Sequence, residues 1–329
     1  LLALSLIAII LGASGIIYSY TIFTKVSDDI KSLSEALGVA GPEYAKKIVN
    51  ARKDGKVVLY TSEPTMFIEE LSKAFEKKYP FLKVEYYRAA TRPILDKVLS
   101  EAREEKHAVD VVLSTTLNIE RLKGEGLLRK YNLAQESAIL ECFRDLDRYW
   151  YTTRINTFSI IYNTKLIPSS EAPVDYKDLL DDRWKGKIGM DDARFGGATL
   201  LWFVTMRKVL KDNWRPYMEG LAKQGIVFKK GQMLLNELCK RGEIPIIANG
   251  MVIYAEQDKA KGDPIEWVEV KPIFAERISI AIHKSSPHPN AAELFVDFML
   301  SQEGQRILGE LGLIPSRPEA PLKFSALSI

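Results

Sequence analysis

Between residues 55 and 128 the chain alternates short β-branched and aliphatic runs with longer amphipathic stretches. KVVLYTS (56–62) predicts a strand, and MFIEELSKAFEKKYP (66–80), preceded by Pro64 and closed by Pro80, spaces its apolar residues as one face of a helix. The unit recurs as LKVEYYRAA (82–90) with RPILDKVLSEAREE, and as AVDVVLS (108–114) with NIERLKGEGLL. Repeated strand–helix units imply a largely parallel sheet and an α/β class. A second block of the same grammar contains NTFSIIYNTKLI (156–167), KGKIGMDD (185–192), the helical ATLLWFVTMRKVL (198–210) and GEIPIIANGMVIYAEQDKAKG (242–262). The extended run VKPIFAERISIAI (270–282) then leads to a helical pair that starts at Asn290.

The first 24 residues carry no charged side chain, and Lys25 is the first charge. About 20 apolar residues in a helix cover a bilayer core, so this segment predicts a membrane anchor; a cleaved secretory signal ending near Gly12–Gly15 is the alternative. Either reading exports the rest. Residues 25–54 read as a helical spacer, ending in EYAKKIVNARKDG with a glycine stop at Gly55.

Composition narrows the function. At 329 residues the chain suits about two domains, and 47% hydrophobic with 27% charged residues is an ordinary globular balance. Forty-six basic against 43 acidic residues give +3, without the basic stripe that tracks a phosphate backbone, so nucleic acid is not an expected partner. Cys142 and Cys239 read as two isolated thiols or one long-range disulfide, with no metal spacing. His107, His283 and His288 read as solvated surface, and no G-x-S-x-G, H-E-x-x-H, phosphate-loop or dinucleotide signature occurs. Binding without catalysis is the expectation.

In an open parallel sheet the ligand lies beyond the carboxyl ends of the strands, where helices present free N–H groups. Those positions hold Thr61, Ser62 and Glu63; Thr91 and Arg92; Ser114 and Thr115; and, in the second block, Arg194, Gly196, Gly197, Asn249 and Tyr254. Any one of them also reads as a turn or cap residue. Their recurrence at every strand end is what points to a site.

The ordered set KKIVNARKDGKVVLYTS, AFEKKYPFLKVEYYRAA, AVDVVLSTT, IIYNTKLI, WKGKIGMDDARFGG, NAAELFVDFMLSQEGQRIL and GLIPSRPE resembles the extracellular solute-binding proteins of ABC importers. The branch it is most similar to holds ferric-ion binding proteins and relatives for phosphonates, thiamine and polyamines. The resemblance implies an α/β, two-lobe, periplasmic-binding-protein-like (type 2) fold with a cleft between lobes. It implies lobe 1 over 55–155 with part of 275–329 returning to it, lobe 2 over 156–272, and a crossover strand with C-terminal helices over 273–329. It also implies a monomer without cofactor that closes on a small molecule or ion outside the cytoplasm and hands it to a membrane permease. Its hinge is expected near Arg154–Ile160 and Lys271–Arg277.

The ferric site of that branch is not reproduced. The tandem-tyrosine position resembles Val252-Ile253 beside a lone Tyr254, and the histidine and glutamate positions fall near Pro64 and Thr115. If iron were the cargo, Tyr254 would be its ligand. Arg92 and Arg194 follow strands in different lobes and offer guanidinium forks, so the expected cargo is an anionic or anion-bearing solute clamped between them. Glu63 and the Asp191-Asp192 pair would suit a cationic group at its other end. Ferric iron with a synergistic anion, and an anchored sensory module of the same fold, are the alternatives.

Overall fold

The computed structural model describes residues 42–195, 197–271 and 273–324. The expected anchor or signal at 1–24, most of the spacer, and Gly196 lie outside the described residues. Among the described residues no helix is long and apolar enough to cross a membrane.

Helix α1 (Pro42–Asp54) stops at Gly55, whose φ of +72° only glycine adopts cheaply and whose N–H bonds the carbonyl of Ala51. Strand β1 (Lys56–Thr61), α2 (Thr65–Lys78), β2 (Lys83–Arg88), α3 (Thr91–Arg103), β3 (Val111–Thr115) and α4 (Thr116–Gly124) follow. β4 (Tyr151–Asn163) opens the second half, which continues through β5 (Ile188–Asp191), α5 (Gly197–Leu210), α6 (Trp214–Lys223), β6 (Val227–Lys229), α7 (Gln232–Lys240), β7 (Ile246–Met251), α8 (Val252–Lys259) and β8 (Ile265–Trp267). The chain closes with β9 (Phe274–Ile282), α9 (Pro289–Met299), α10 (Gln302–Glu310) and β10 (Ile314–Pro315).

Each half builds its own core. Phe67, Ile68, Leu71 and Phe75 form the buried stripe of α2, each contributing about 1.5–3 kcal/mol by leaving water. Phe75 meets Tyr79, Phe295 and Phe298 at ring-centroid distances of 5.1, 5.1 and 5.5 Å, which returns α9 to the first lobe. Ile48 and Ala51 of α1 sit in that core, and Lys47 reaches Asp297 at 2.9 Å. Residues 42–54 are therefore part of the lobe, where a spacer was expected, because their apolar positions find partners on α9. The second lobe gathers around Trp202, Tyr176, Phe158 and Trp184, so Trp202 is core.

The strands run in the order β2-β1-β3-β9-β4-β7-β5-β6, with β8 and β10 also on β4. β1 is parallel to β2 and β3, and β5 is parallel to β6 and β7. The middle is not parallel: β9 is antiparallel to β3 and β4, and β4 to β7. The expected parallel sheet is thus two parallel halves joined by two antiparallel crossing strands. β4 is thirteen residues long and buried throughout; its first residues pair with β9 and β10, its last with β7 and β8. Asn156 faces Glu276 in the β4–β9 register, at the crossing between halves.

Candidate functional site

The parallel strands of both halves end toward one cleft of about 180 Å³. Six helices begin at its wall, contributing Pro64 ahead of α2, Ala90 and Thr91 at α3, Thr115 ahead of α4, Gly197 and Ala198 at α5, Gly231 and Gln232 at α7, and Met251 ahead of α8. In α2, α3, α4, α7 and α8 no side chain caps the N-terminus. By contrast α10, away from the cleft, is capped by Ser301 Oγ, which accepts from the Gly304 N–H. Uncapped N-termini leave backbone donors and the positive ends of helix dipoles facing the cavity.

Its floor is a buried ion pair. Arg154 Nε and Nη2 each donate to Glu63 Oε2 at 2.6 Å, with the two side chains 4% and 5% exposed, and Arg154 Nη1 donates to Asn156 Oδ1. Glu63 also holds Arg88, whose Nε donates to its carbonyl at 3.2 Å. Among the described residues neither Arg88, at the end of β2, nor Lys230, after β6, makes an ion pair with an acid; the Lys230 ammonium lies 4.7 Å from the Phe195 ring centre. Two cations from opposite lobes therefore face the cleft unneutralised.

Three carboxylates share this wall. Asp191 Oδ1 accepts from the Gly231 N–H at 2.7 Å, a contact made possible by the φ of +104° at Gly231. Burial pushes the Asp191 carboxyl above its ordinary range against the pull of that bond and of the Asp192 N–H. Glu276 on β9 is 6% exposed. Burial raises it to about 7, against the pull of Asn156 and Arg154 and with the push of Glu63 and Asp191. Tyr254 on α8 is the tyrosine of the wall, and burial raises its hydroxyl too.

Of the twelve positions picked out by strand ends, Ser62, Glu63, Thr91, Thr115, Gly197 and Tyr254 line the cleft. Thr61, Ser114 and Asn249 are fully buried behind it. Thr61 Oγ1 accepts from the Glu63 N–H, Ser114 Oγ meets Ser62 Oγ at 3.2 Å, and the Asn249 amide donates to Thr199 Oγ1. Gly196 lies outside the described residues.

The two arginines of the expected clamp are elsewhere. Arg92 points outward from the first turn of α3, 69% exposed, and binds Asp96 one turn on at 2.8 Å. Arg194, 80% exposed, folds back on Asp192, whose carboxyl it holds down at about 2. A helix opening at Thr91 sends its second residue away from the strand ends, and the turn after β5 lets Asp192 capture Arg194 locally. Sequence reading missed Arg88, Arg154, Asn156, Lys230, Gln232 and Glu276. For Arg88 and Lys230 a signal existed, since Arg88 ends β2 and Lys230 directly follows β6.

Other expectations were also displaced. His283 is buried, which lowers its pKa, and His288 Nδ1 meets Asp110 Oδ2 at 2.9 Å, so neither is the solvated side chain expected. Cys142 and Cys239 are both free thiols, the first exposed and the second buried.

Two lobes whose strand ends and helix starts converge on one polar cleft define a bilobal binding protein, built to hold a small solute. Residues 70–326 match the family described as bacterial extracellular solute-binding protein, and the chain belongs to that family. Such proteins are the substrate-binding receptors of ABC importers and work outside the cytoplasm. A protein of Haemophilus influenzae described as uncharacterized is 26% identical over 306 residues, spanning 88% of this chain and 84% of its own length. The periplasmic binding protein AfuA from Actinobacillus pleuropneumoniae, with exogenous fructose-6-phosphate bound, is 23% identical with a TM-score of 0.74, over 82% of this chain and 87% of that one. Iron-bound HitA from Pseudomonas aeruginosa is 22% identical with a TM-score of 0.71, over 83% and 90%. At these identities the two structures share the fold.

Proposed function

We propose that this receptor captures a small anionic or anion-bearing organic solute and carries it, as a monomer and without bond chemistry, to an ABC permease, held near the membrane or exported by residues 1–24. The observation that carries the reading is the set of five uncapped helix N-termini opening on the cleft beside Arg88 and Lys230. With Glu276 protonated, three cations (Arg88, Arg154 and Lys230) stand against Glu63 and Asp191, a surplus that an anion neutralises. The other polar groups of the wall, Ser62 and Glu276 among them, suit hydroxyl or amino substituents on the solute. The binding of fructose-6-phosphate by AfuA is in keeping with this class.

Ferric ion is the competing occupant. Hard Fe³⁺ needs several anionic oxygens, and burial opposes the ionisation of Tyr254, Asp191 and Glu276, three of the four oxygen acids of the wall. Glu63 is already engaged by Arg154, and Arg88 and Lys230 would repel the metal.

A thermal-shift screen tests the reading, using inorganic phosphate, sulfate, fructose 6-phosphate, citrate, thiamine, spermidine and ferric salts with and without carbonate. A ligand at 100 times its Kd adds about 2.7 kcal/mol to native stability. Stabilisation by phosphorylated or carboxylated solutes and not by ferric salts is expected. Stabilisation by iron alone would overturn it.

A further inference from the structure

We infer that Glu276 takes up a proton as the anion enters, so that the receptor binds its solute together with H⁺. This rests on the anionic-solute reading and adds a residue and a coupling to it.

Glu276 stands on a crossing strand at the point where both lobes meet the cleft. A Cβ added to Gly197, the first residue of α5, would lie 3.6 Å from Glu276 Oε1, 3.6 Å from the Thr91 methyl and 3.7 Å from the Thr115 methyl. An anion seated on the N-termini of α3, α4 and α5 is thereby seated against Glu276. The buried guanidinium of Arg154 pulls on the glutamate only through space, since its Nε and Nη2 go to Glu63 and its Nη1 to Asn156.

The charged and titratable groups facing Glu276 are Arg154 from β4, Glu63 from the loop after β1 and Asp191 from β5. Arg88, Lys230 and Tyr254 complete the wall. Two of the three near neighbours are acids, and burial already favours the neutral carboxyl at about 7. Adding a further negative charge beside this buried carboxyl raises that preference, because like charges at short range cannot all remain ionised. By linkage, the protonated form then binds the anion more tightly, by tenfold for each pH unit through which the anion raises the glutamate. Affinity is highest near and below pH 7 and falls as pH rises through the value Glu276 has in the complex.

The test is calorimetric titration of the full-length protein and Glu276→Gln with fructose 6-phosphate, inorganic phosphate and sulfate at pH 6.5, 7.5 and 9, each in two buffers of different ionisation heat. Sulfate does not titrate in this range, and the ionisation of the phosphates is common to both proteins and cancels in the comparison. For whichever probe binds, the wild type should weaken about tenfold more than the variant from pH 6.5 to 9. It should also take up a fraction of a proton near pH 7.5 that the variant does not. Matching pH profiles with matching proton uptake overturn the coupling and leave the anionic reading standing. Failure of all three probes to bind either protein at any pH overturns the anionic reading and this inference with it. Should the variant not fold, proton uptake by the wild type with sulfate, which does not titrate, decides the matter.

Discussion

Replacing Glu276 by glutamine should stabilise the unliganded protein, and only on the alkaline side. The side chain keeps its shape and its place beside Asn156 and loses the ability to carry charge. In the unfolded chain the carboxyl titrates near 4.5; in the native protein it titrates at about 7, chiefly because it is buried. Below pH 4.5 both states hold the proton and the group adds no difference. Between 4.5 and 7 the unfolded chain releases a proton that the native state retains, so native stability falls as pH rises, and above 7 the full cost is present. The gap between the two values corresponds to about 3 kcal/mol, a large part of a domain's net stability. Guanidinium unfolding followed by the fluorescence of the five tryptophans measures it, with wild type and variant compared at pH 5 and pH 8.5. The other titrating groups are common to both proteins and drop out of the difference. The expected result is an advantage for the variant of less than about 1 kcal/mol at pH 5 and of about 3 kcal/mol at pH 8.5. A difference between the two proteins that does not change with pH would refute the argument, because it would mean that the native glutamate titrates as it does in the unfolded chain.

Arg88→Ala should weaken binding of any anion the screen identifies by about 10- to 100-fold, the worth of one charge-assisted hydrogen bond, whereas Arg92→Ala combined with Arg194→Ala should leave the Kd within about twofold in the same titration. Glu63→Ala strands the Arg154 guanidinium in the floor and should cost about 3–5 kcal/mol in denaturant unfolding, while Glu63→Met with Arg154→Met should recover most of that loss. A Cβ at Gly197 already reaches van der Waals distance from Thr91, Thr115 and Glu276, so Gly197→Ala should be tolerated while the two further methyls of Gly197→Val should crowd the seat; the valine variant should bind at least tenfold more weakly and show no contraction by small-angle scattering at ligand levels that compact the wild type.

The division between what the chain pattern disclosed and what it hid follows from the range of the forces involved. Strand ends and helix starts are set by neighbours a few residues away, so β1, α2, β3 and α5 were legible, and with them the rim where Ser62, Thr91, Thr115 and Gly197 lie. Orientation on that rim was not. Arg92 and Arg194 belong to the right turns, yet local carboxylates, Asp96 four residues on and Asp192 two residues back, turn both away from the cleft. The inner charges were hidden for the opposite reason. Arg154 meets Glu63 across 91 residues of chain, and Glu276 faces Asn156 only because β4 and β9 cross antiparallel where a parallel sheet was expected. Read as sequence, NTFSIIYN opens the second block and FAERISIA is an extended crossover run, with a hinge expected near each and no ligand contact assigned to either. In the folded protein the same two strands form the crossing and present Arg154, Asn156 and Glu276 to the cleft. A charge placed between the lobes therefore acts on the strands that join them. On the proposed reading, in which these crossing strands also bend as the hinge, solute capture, the ionisation of Glu276 and lobe closure form one linked equilibrium, and a change at any one of the three should be felt at the other two.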